Sequence, residues 1–271
     1  MTKQVNSSTK DNKTDTLRSI DLFVLDMDGT IYLGERVFPV AVEFVAKAKS
    51  LGKKIIYFTN NASKNPDIYY QKLLNMGFDA ERSEIVTSGD VTAEYLIKSY
   101  PGQPVYLVGT PALEQSFLSY GIKLSENSDI VVSSFDTTLT YKKLETACNL
   151  IRSGAVFLST HPDFNCPTEN GFIPDSGAIN ALITASTGVV PKYFGKPHRE
   201  TADMISAVSG IPLERTAIVG DRLYTDIALG KNNGMTSVLV LTGETKIEDI
   251  NDDNSPDICL NDIGEIIPFL N

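Results

Sequence analysis

The sequence predicts an α/β protein built on a parallel sheet flanked by helices. Two observations carry this. From residue 20 onward, short apolar runs alternate with helical patterns, and the runs themselves are continuous rather than alternating, as strands covered on both faces require. In addition, three of the runs end directly in a polar residue: Leu25 in Asp26, Phe58 in Thr59 and Val219 in Gly220-Asp221. Ligands of open α/β sheets sit beyond the carboxyl ends of strands, so these distant residues can converge.

The elements follow in order. Leu22-Phe23-Val24-Leu25 is the first strand. Ala41, Phe44, Val45, Ala48 and Leu51 share one face of a helix from Pro39 to Leu51, with Gly52 as its stop. Ile55–Phe58 is the second strand. Asn65 is placed to cap a helix that has Pro66 at its first position and runs to Met76 before Gly77. Glu84–Thr87 reads as a short third strand. Further strands are expected at Val105–Val108, Ile130–Val132, Val156–Leu158 and Tyr193–Phe194, with helices near 111–120, 141–153 and 178–187. Ala217–Val219, a short helix near 225–232, Val238–Leu241, Ile258–Leu260 and a last helix near 262–270 complete the chain.

Composition sets the boundaries of the reading. The 271 residues imply one or two domains and a core large enough to need no disulfide or structural metal. The formal charge of −10 excludes nucleic-acid binding through a broad basic face. No run is long and apolar enough to span a membrane, and the polar start of the chain lacks the apolar core of a secretory signal. Cys148, Cys166 and Cys259 are odd in number, widely spaced and form no zinc pattern; they suit a reducing compartment, so a cytoplasmic location is expected. Residues 1–18 read as a solvated, flexible arm.

Four clusters carry chemistry. Asp26-Met27-Asp28-Gly29-Thr30 puts two carboxylates just past a buried strand, where desolvation penalises unpaired charge. Taken alone, it also reads as a turn with Gly29 at positive φ. Thr59-Asn60-Asn61 offers a hydroxyl and backbone N–H groups to an anion, or simply a turn. Gly195-Lys196-Pro197 places one cation where the chain leaves a strand; a surface lysine is the plain alternative. In Gly220-Asp221-Arg222-Leu223-Tyr224-Thr225-Asp226, one acid stands at a strand end and a second at the next helix start, where it complements the dipole.

In order and spacing these clusters resemble the four motifs of the haloacid dehalogenase superfamily. DMDGTIYLG, FTNN, HPDFNCPTENGFIPDSGAI, GKP and GDRLYTDI are similar to its NagD-type, 4-nitrophenylphosphatase-like branch over residues 20–271. The resemblance implies a discontinuous Rossmann-like core at 19–89 and 189–271, and an inserted α/β cap at 90–188 that favours small substrates. It implies a Mg²⁺-dependent phosphomonoesterase acting on small phosphorylated metabolites such as sugar phosphates or nucleoside monophosphates, and on 4-nitrophenyl phosphate in vitro.

The same resemblance assigns roles. Asp26 is the nucleophile that forms an aspartyl-phosphate, and Asp28 the general acid and base. Asp26, the backbone carbonyl of Asp28, and Asp221 hold Mg²⁺. Thr59, the Asn60 amide and Lys196 bind the phosphoryl oxygens, and Lys196 also pairs with Asp26. Asp226 orients metal-bound water or Lys196 from behind. His161 and Asp163 in the cap, and Asn61, are candidate substrate contacts; a hydrogen-bonded loop histidine is the alternative for His161. The turn-rich stretch Gly171–Gly177 is a lid edge or a loop. A phosphoreceiver-like signalling module and a phosphomutase are the rival functions. Neither nucleic acid nor membrane is an expected partner, and a homodimer through the cap stays open.

Overall fold

A computed structural model of the chain describes residues 15–168 and 171–270. Of the expected arm, residues 1–14 lie outside the described residues, while residues 15–19 form a helical turn that buries Leu17. Leu17 is the apolar residue of an otherwise polar stretch, and it anchors the turn.

Fourteen strands and eight α-helices follow among the described residues. The first part of the chain holds β1 (Leu22–Asp26), a small antiparallel pair β2 (Tyr32–Leu33) and β3 (Arg36–Val37), α1 (Pro39–Ser50) and β4 (Lys54–Thr59). Next come α2 (Pro66–Asn75), β5 (Ile85–Thr87), α3 (Ser88–Ser99), β6 (Tyr106–Val108), α4 (Pro111–Ser119), β7 (Ile130–Ser133), α5 (Tyr141–Arg152) and β8 (Val156–Ser159). Then follow β9 (Asn165–Thr168), β10 (Gly171–Pro174), α6 (Ser176–Thr187), β11 (Lys192–Tyr193) and α7 (Arg199–Ser209). The chain closes with β12 (Thr216–Gly220), α8 (Ala228–Asn233), β13 (Thr236–Val240) and β14 (Ile258–Leu260).

The chain divides into two compact units. The first comprises the described residues of Met1–Tyr57, Leu73–Glu84 and Ile205–Asn271; the second comprises Phe58–Lys72 and Ile85–Met204. In the first unit the sheet order is β14-β13-β12-β1-β4, and β12 pairs in parallel with both β1 and β13. The register opposes Leu25 to Val219 and Gly220 to Leu239. All of Leu22–Leu25 and Thr216–Gly220 is buried, which is why these strands are continuous apolar runs. The Phe23 and Phe44 rings meet edge to face at 5.2 Å, seating α1 on β1.

The second unit has its own parallel sheet in the order β11-β8-β7-β6. Val108, Val131 and Phe157 on three of its strands pack with Ala147, Ile151, Ile179 and Ile183 from α5 and α6. The α/β expectation therefore holds in both units.

The structure corrects four local readings. Residues 88–99 form a helix that periodicity did not reveal; its start is a capping box, in which Thr87 N–H donates to Asp90 Oδ2 at 2.7 Å and Asp90 N–H to Thr87 Oγ1 at 3.3 Å. Gly171–Gly177 is no loose loop: β10 pairs antiparallel with β9, and Asp175 caps α6. The short helix after β12 begins as a π-helical turn, Leu223–Ile227, in which Asp226 Oδ2 accepts from Arg222 N–H at 3.1 Å. The last segment, Ile263–Phe269, is a 3₁₀ helix containing Pro268, which has no N–H to give.

Candidate active site

Asp26 is the last residue of β1, and Asp221 directly follows β12. Because the two strands are parallel neighbours in register, their carboxyl ends emerge side by side. Asp226 is brought back to the same point by the π-helical turn. One carboxylate oxygen from each of Asp26, Asp221 and Asp226 lies within 4.8 Å of the others. Asp226, expected behind the metal ligands, stands in the acid cluster itself.

The surroundings leave Asp221 little freedom. Its Oδ2 accepts from Glu244 N–H at 2.7 Å, and its carbonyl from Thr245 N–H at 3.2 Å. A side chain at Gly243 would overlap this carboxylate, and a Cβ at Gly29 would lie 2.5 Å from Asp221 Oδ2. Gly29 also has φ of +97°, so glycine is required there twice over. Thr242 Oγ1 donates to Gly29 carbonyl at 2.6 Å, tying the loop after β13 to the loop after β1. Thr242, Gly243 and Glu244 escaped the sequence reading. Their signal was present: Leu241-Thr242-Gly243 leaves another buried strand end.

Electrostatics make the cluster unusual. Burial pushes the Asp221 carboxyl up to about 8, with the charges of Asp26 and Asp226 adding to the effect. Arg222 and the Glu244 N–H pull the other way. The buried Asp221 Oδ1 has no hydrogen-bond partner among the described residues. Crowded carboxylates with an unsatisfied buried oxygen fit a hard divalent cation such as Mg²⁺, which takes oxygen ligands and offsets their repulsion. Asp28 does not join the three. Its Oδ1 accepts from Gly34 N–H at 3.3 Å, in the β2–β3 turn, and Asp26 Oδ2 accepts from Thr30 Oγ1 at 3.3 Å.

The remaining sequence-selected residues belong to the second unit. Thr59 ends β4 and its Oγ1 accepts from Asn61 N–H at 3.1 Å. The Lys196 side chain is buried, with its ammonium 5.4 Å from the centroid of the Phe58 ring. Lys196 is therefore no solvated surface charge. The Asn60 side chain is committed to Lys196 N–H (2.7 Å), Lys196 carbonyl (3.0 Å) and Asp163 Oδ2 (3.2 Å). Asn61 Oδ1 accepts from Ser63 N–H at 2.9 Å and Ser63 Oγ at 2.7 Å.

His161 takes the scaffold alternative. It is fully buried, with Nε2 2.8 Å from Asp175 Oδ1 and Nδ1 2.9 Å from Thr160 Oγ1. Both ring nitrogens have a polar neighbour within the fold. The neighbours of this pair are satisfied in the same manner: Ser159 Oγ lies 3.1 Å from Ser176 Oγ, Asn180 Nδ2 donates to Ser159 Oγ at 2.7 Å, and Ser133 Oγ bonds Asn180 Oδ1.

Comparison with known proteins gives the family. A model of haloacid dehalogenase-like hydrolases matches residues 23–123, and a HAD-hydrolase-like model matches residues 193–266. An acid sugar phosphatase of Staphylococcus aureus is 37% identical over 259 residues, covering 94% of this chain and 99% of that protein. The chain belongs to the haloacid dehalogenase-like hydrolases.

Among solved members, the 4-nitrophenylphosphatase of Thermotoga maritima is 46% identical with a TM-score of 0.91, covering 94% of this chain and 99% of that one. A p-nitrophenyl phosphatase from Archaeoglobus fulgidus is 28% identical with a TM-score of 0.86, covering 92% of this chain and 98% of that one. Within the family this hydrolase falls in the NagD-type, 4-nitrophenylphosphatase-like branch.

Proposed function

We propose that this protein is a Mg²⁺-dependent phosphomonoesterase of small phosphorylated metabolites that works through an aspartyl-phosphate. That it is an enzyme of the phosphatase class follows from its family and relatives. The observation that carries the finer reading is the meeting of Asp26, Asp221 and Asp226 beside adjacent strand ends, with one buried oxygen of Asp221 left without a hydrogen-bond partner among the described residues.

Asp26, Asp221 and Asp226 would hold the cation, together with the Asp28 carbonyl that the family resemblance assigns. Bound there, Mg²⁺ supplies positive charge against the repulsion between a carboxylate and a phosphate dianion. The Asp26 carboxylate attacks phosphorus; the bond to the ester oxygen breaks, and Asp28 gives that oxygen its proton. Asp28 then takes a proton from water, whose oxygen attacks phosphorus, releases inorganic phosphate and restores Asp26. Thr59 Oγ, the Asn60 N–H and the Lys196 ammonium hold the phosphoryl oxygens. Thr30, which donates to Asp26 Oδ2, keeps one nucleophile oxygen in place.

The α/β layer within residues 90–188 is read as the cap that admits small esters. The acid sugar phosphatase relative makes sugar phosphates the first substrates to try. The three free cysteines agree with a reducing, cytoplasmic setting, and among the described residues no helix is long and apolar enough to cross a membrane.

The test is hydrolysis of 4-nitrophenyl phosphate and a sugar-phosphate panel with and without Mg²⁺. Asp26→Asn is expected to lower turnover by roughly 10³-fold or more. Undiminished turnover of purified Asp26→Asn protein, or full activity after chelation, would overturn the mechanism.

A further inference from the structure

A lysine that neutralises a phosphoryl group must present its ammonium at one point, yet its long side chain has many rotamers to choose among. Here the chain is fixed at its root. The Asn60 carboxamide grips the Lys196 backbone on both sides: Oδ1 accepts from Lys196 N–H at 2.7 Å, and Nδ2 donates to Lys196 carbonyl at 3.0 Å. Nδ2 also donates to Asp163 Oδ2 at 3.2 Å, so both amide hydrogens are used.

The grip is backed from behind. Asn60 carbonyl accepts from Ser88 Oγ at 2.5 Å, Ser88 Oγ lies 3.4 Å from His161 Nδ1, and His161 Nε2 faces Asp175 at 2.8 Å. Asn60, Ser88, His161, Asp163 and Asp175 are all buried. Gly195 completes the fit. Its φ is +72°, and a Cβ there would sit 2.6 Å from Asn60 Oδ1 and 3.0 Å from Thr160 carbonyl. A bulkier residue at 195 would push the amide off Lys196.

The other end of the lysine lies over Phe58, 5.4 Å from the ring centroid. Phe58, Thr59 and Asn60 are consecutive, so one strand end supplies the ring under the ammonium, the phosphate-facing hydroxyl and the clamp at the root.

We propose that Asn60 is a positioning residue for Lys196, and that Asp163 and the Ser88–His161–Asp175 chain hold Asn60 in register. This rests on the role given to Lys196 above. The Asn60 side chain acts on the lysine, while its backbone N–H is left for the phosphoryl group.

The experiment is a double-mutant cycle in the Mg²⁺-loaded full chain with 4-nitrophenyl phosphate. Asn60→Ala is expected to lower kcat roughly 30-fold while KM shifts less than about 3-fold, since misplacing a catalytic charge costs the transition state most. In a Lys196→Met background the same substitution is expected to cost less than about 3-fold, because groups acting as one unit are non-additive. Equal losses in both backgrounds, or wild-type kcat for Asn60→Ala, would overturn the positioning role. Wild-type turnover of Lys196→Met would instead defeat the functional reading of that lysine. Asn60→Asp, which keeps the shape and the acceptor for Lys196 N–H but loses both donated bonds, runs the same cycle if the alanine variant fails to fold. The same non-additivity is expected of it, and additivity would overturn the proposal equally.

Discussion

The acid cluster of the first unit, with Asp26 half-buried and Asp221 and Asp226 buried, and the buried polar network of the second are built on opposite terms. In the network neighbouring groups engage one another: the His161 ring nitrogens face Asp175 and Thr160, Asn180 Nδ2 donates to Ser159 Oγ, and Asn60 Nδ2 donates to Lys196 carbonyl and Asp163 Oδ2. In the cluster, acids are crowded together, and Asp221 Oδ1 has no hydrogen-bond partner among the described residues. Buried polar groups that satisfy one another rigidify the structure around them, whereas crowded acids are unfavourable unless a proton or a counter-charge offsets their repulsion. The three acids of one unit and the histidine–acid pair of the other thus differ in how their polar groups are satisfied.

The contrast breaks first at Gly243. Gly243→Ala drives a methyl group into the Asp221 carboxylate. Turnover at saturating Mg²⁺ is expected to fall about 10²-fold, the cost of a misplacement on the order of 1 Å. Thermal melting is expected to fall as well, because the buried carboxylate must shift, and a variant with wild-type turnover would show that the cluster tolerates displacement.

At His161 the larger cost falls on stability. His161→Ala strips Asp175 of its buried partner and opens a cavity, so urea unfolding is expected to show a loss of about 2–4 kcal/mol. A loss below about 0.5 kcal/mol would mean that the network is not a scaffold.

A pH series separates the two regions more finely. The folded protein keeps a proton on Asp221 up to about 8, whereas the unfolded chain releases it near 3.8. The folded state therefore binds the extra proton between these values. The stability it confers is full below the lower value and is lost as pH rises through the upper one. Metal-free protein is expected to melt lower at pH 8 than at pH 5, and Asp221→Asn to flatten that slope. Added Mg²⁺, which competes with the proton, is expected to raise the melting temperature more at pH 8 than at pH 5. An identical slope in wild type and Asp221→Asn would contradict this assignment.

The smallest effect is the control. Arg199 and Asp203 form an exposed ion pair at 2.7 Å, and Arg199→Ala is expected to change stability by no more than about 0.5 kcal/mol.

Sequence made the acid site legible because its logic is one-dimensional. A buried apolar run that stops at an acid announces a strand end, and Leu25-Asp26 and Val219-Gly220-Asp221 both do so. The helix after Thr87 was legible in principle through Thr87-x-x-Asp90, a capping pattern that the small residues Ser88 and Gly89 obscured. Two-residue strands such as β2 and β3 carry too few side chains to show a period. The scaffold role of His161 and the clamp formed by Asn60 had no linear signal. His161 and Asp175 are fourteen residues apart, and Asn60 meets backbone atoms, which every residue type presents alike.

The in-register pairing of Leu25 with Val219 has one more consequence. Two neighbouring strand tips fix where the acids meet, whatever length of chain is threaded between them. Segments between β1 and β12 that carry no site residue can be lengthened or shortened while Asp26 and Asp221 keep their places at the neighbouring strand tips. Slipping either strand by one residue is the change that lineage cannot tolerate, since it turns an acid to the opposite face of the sheet.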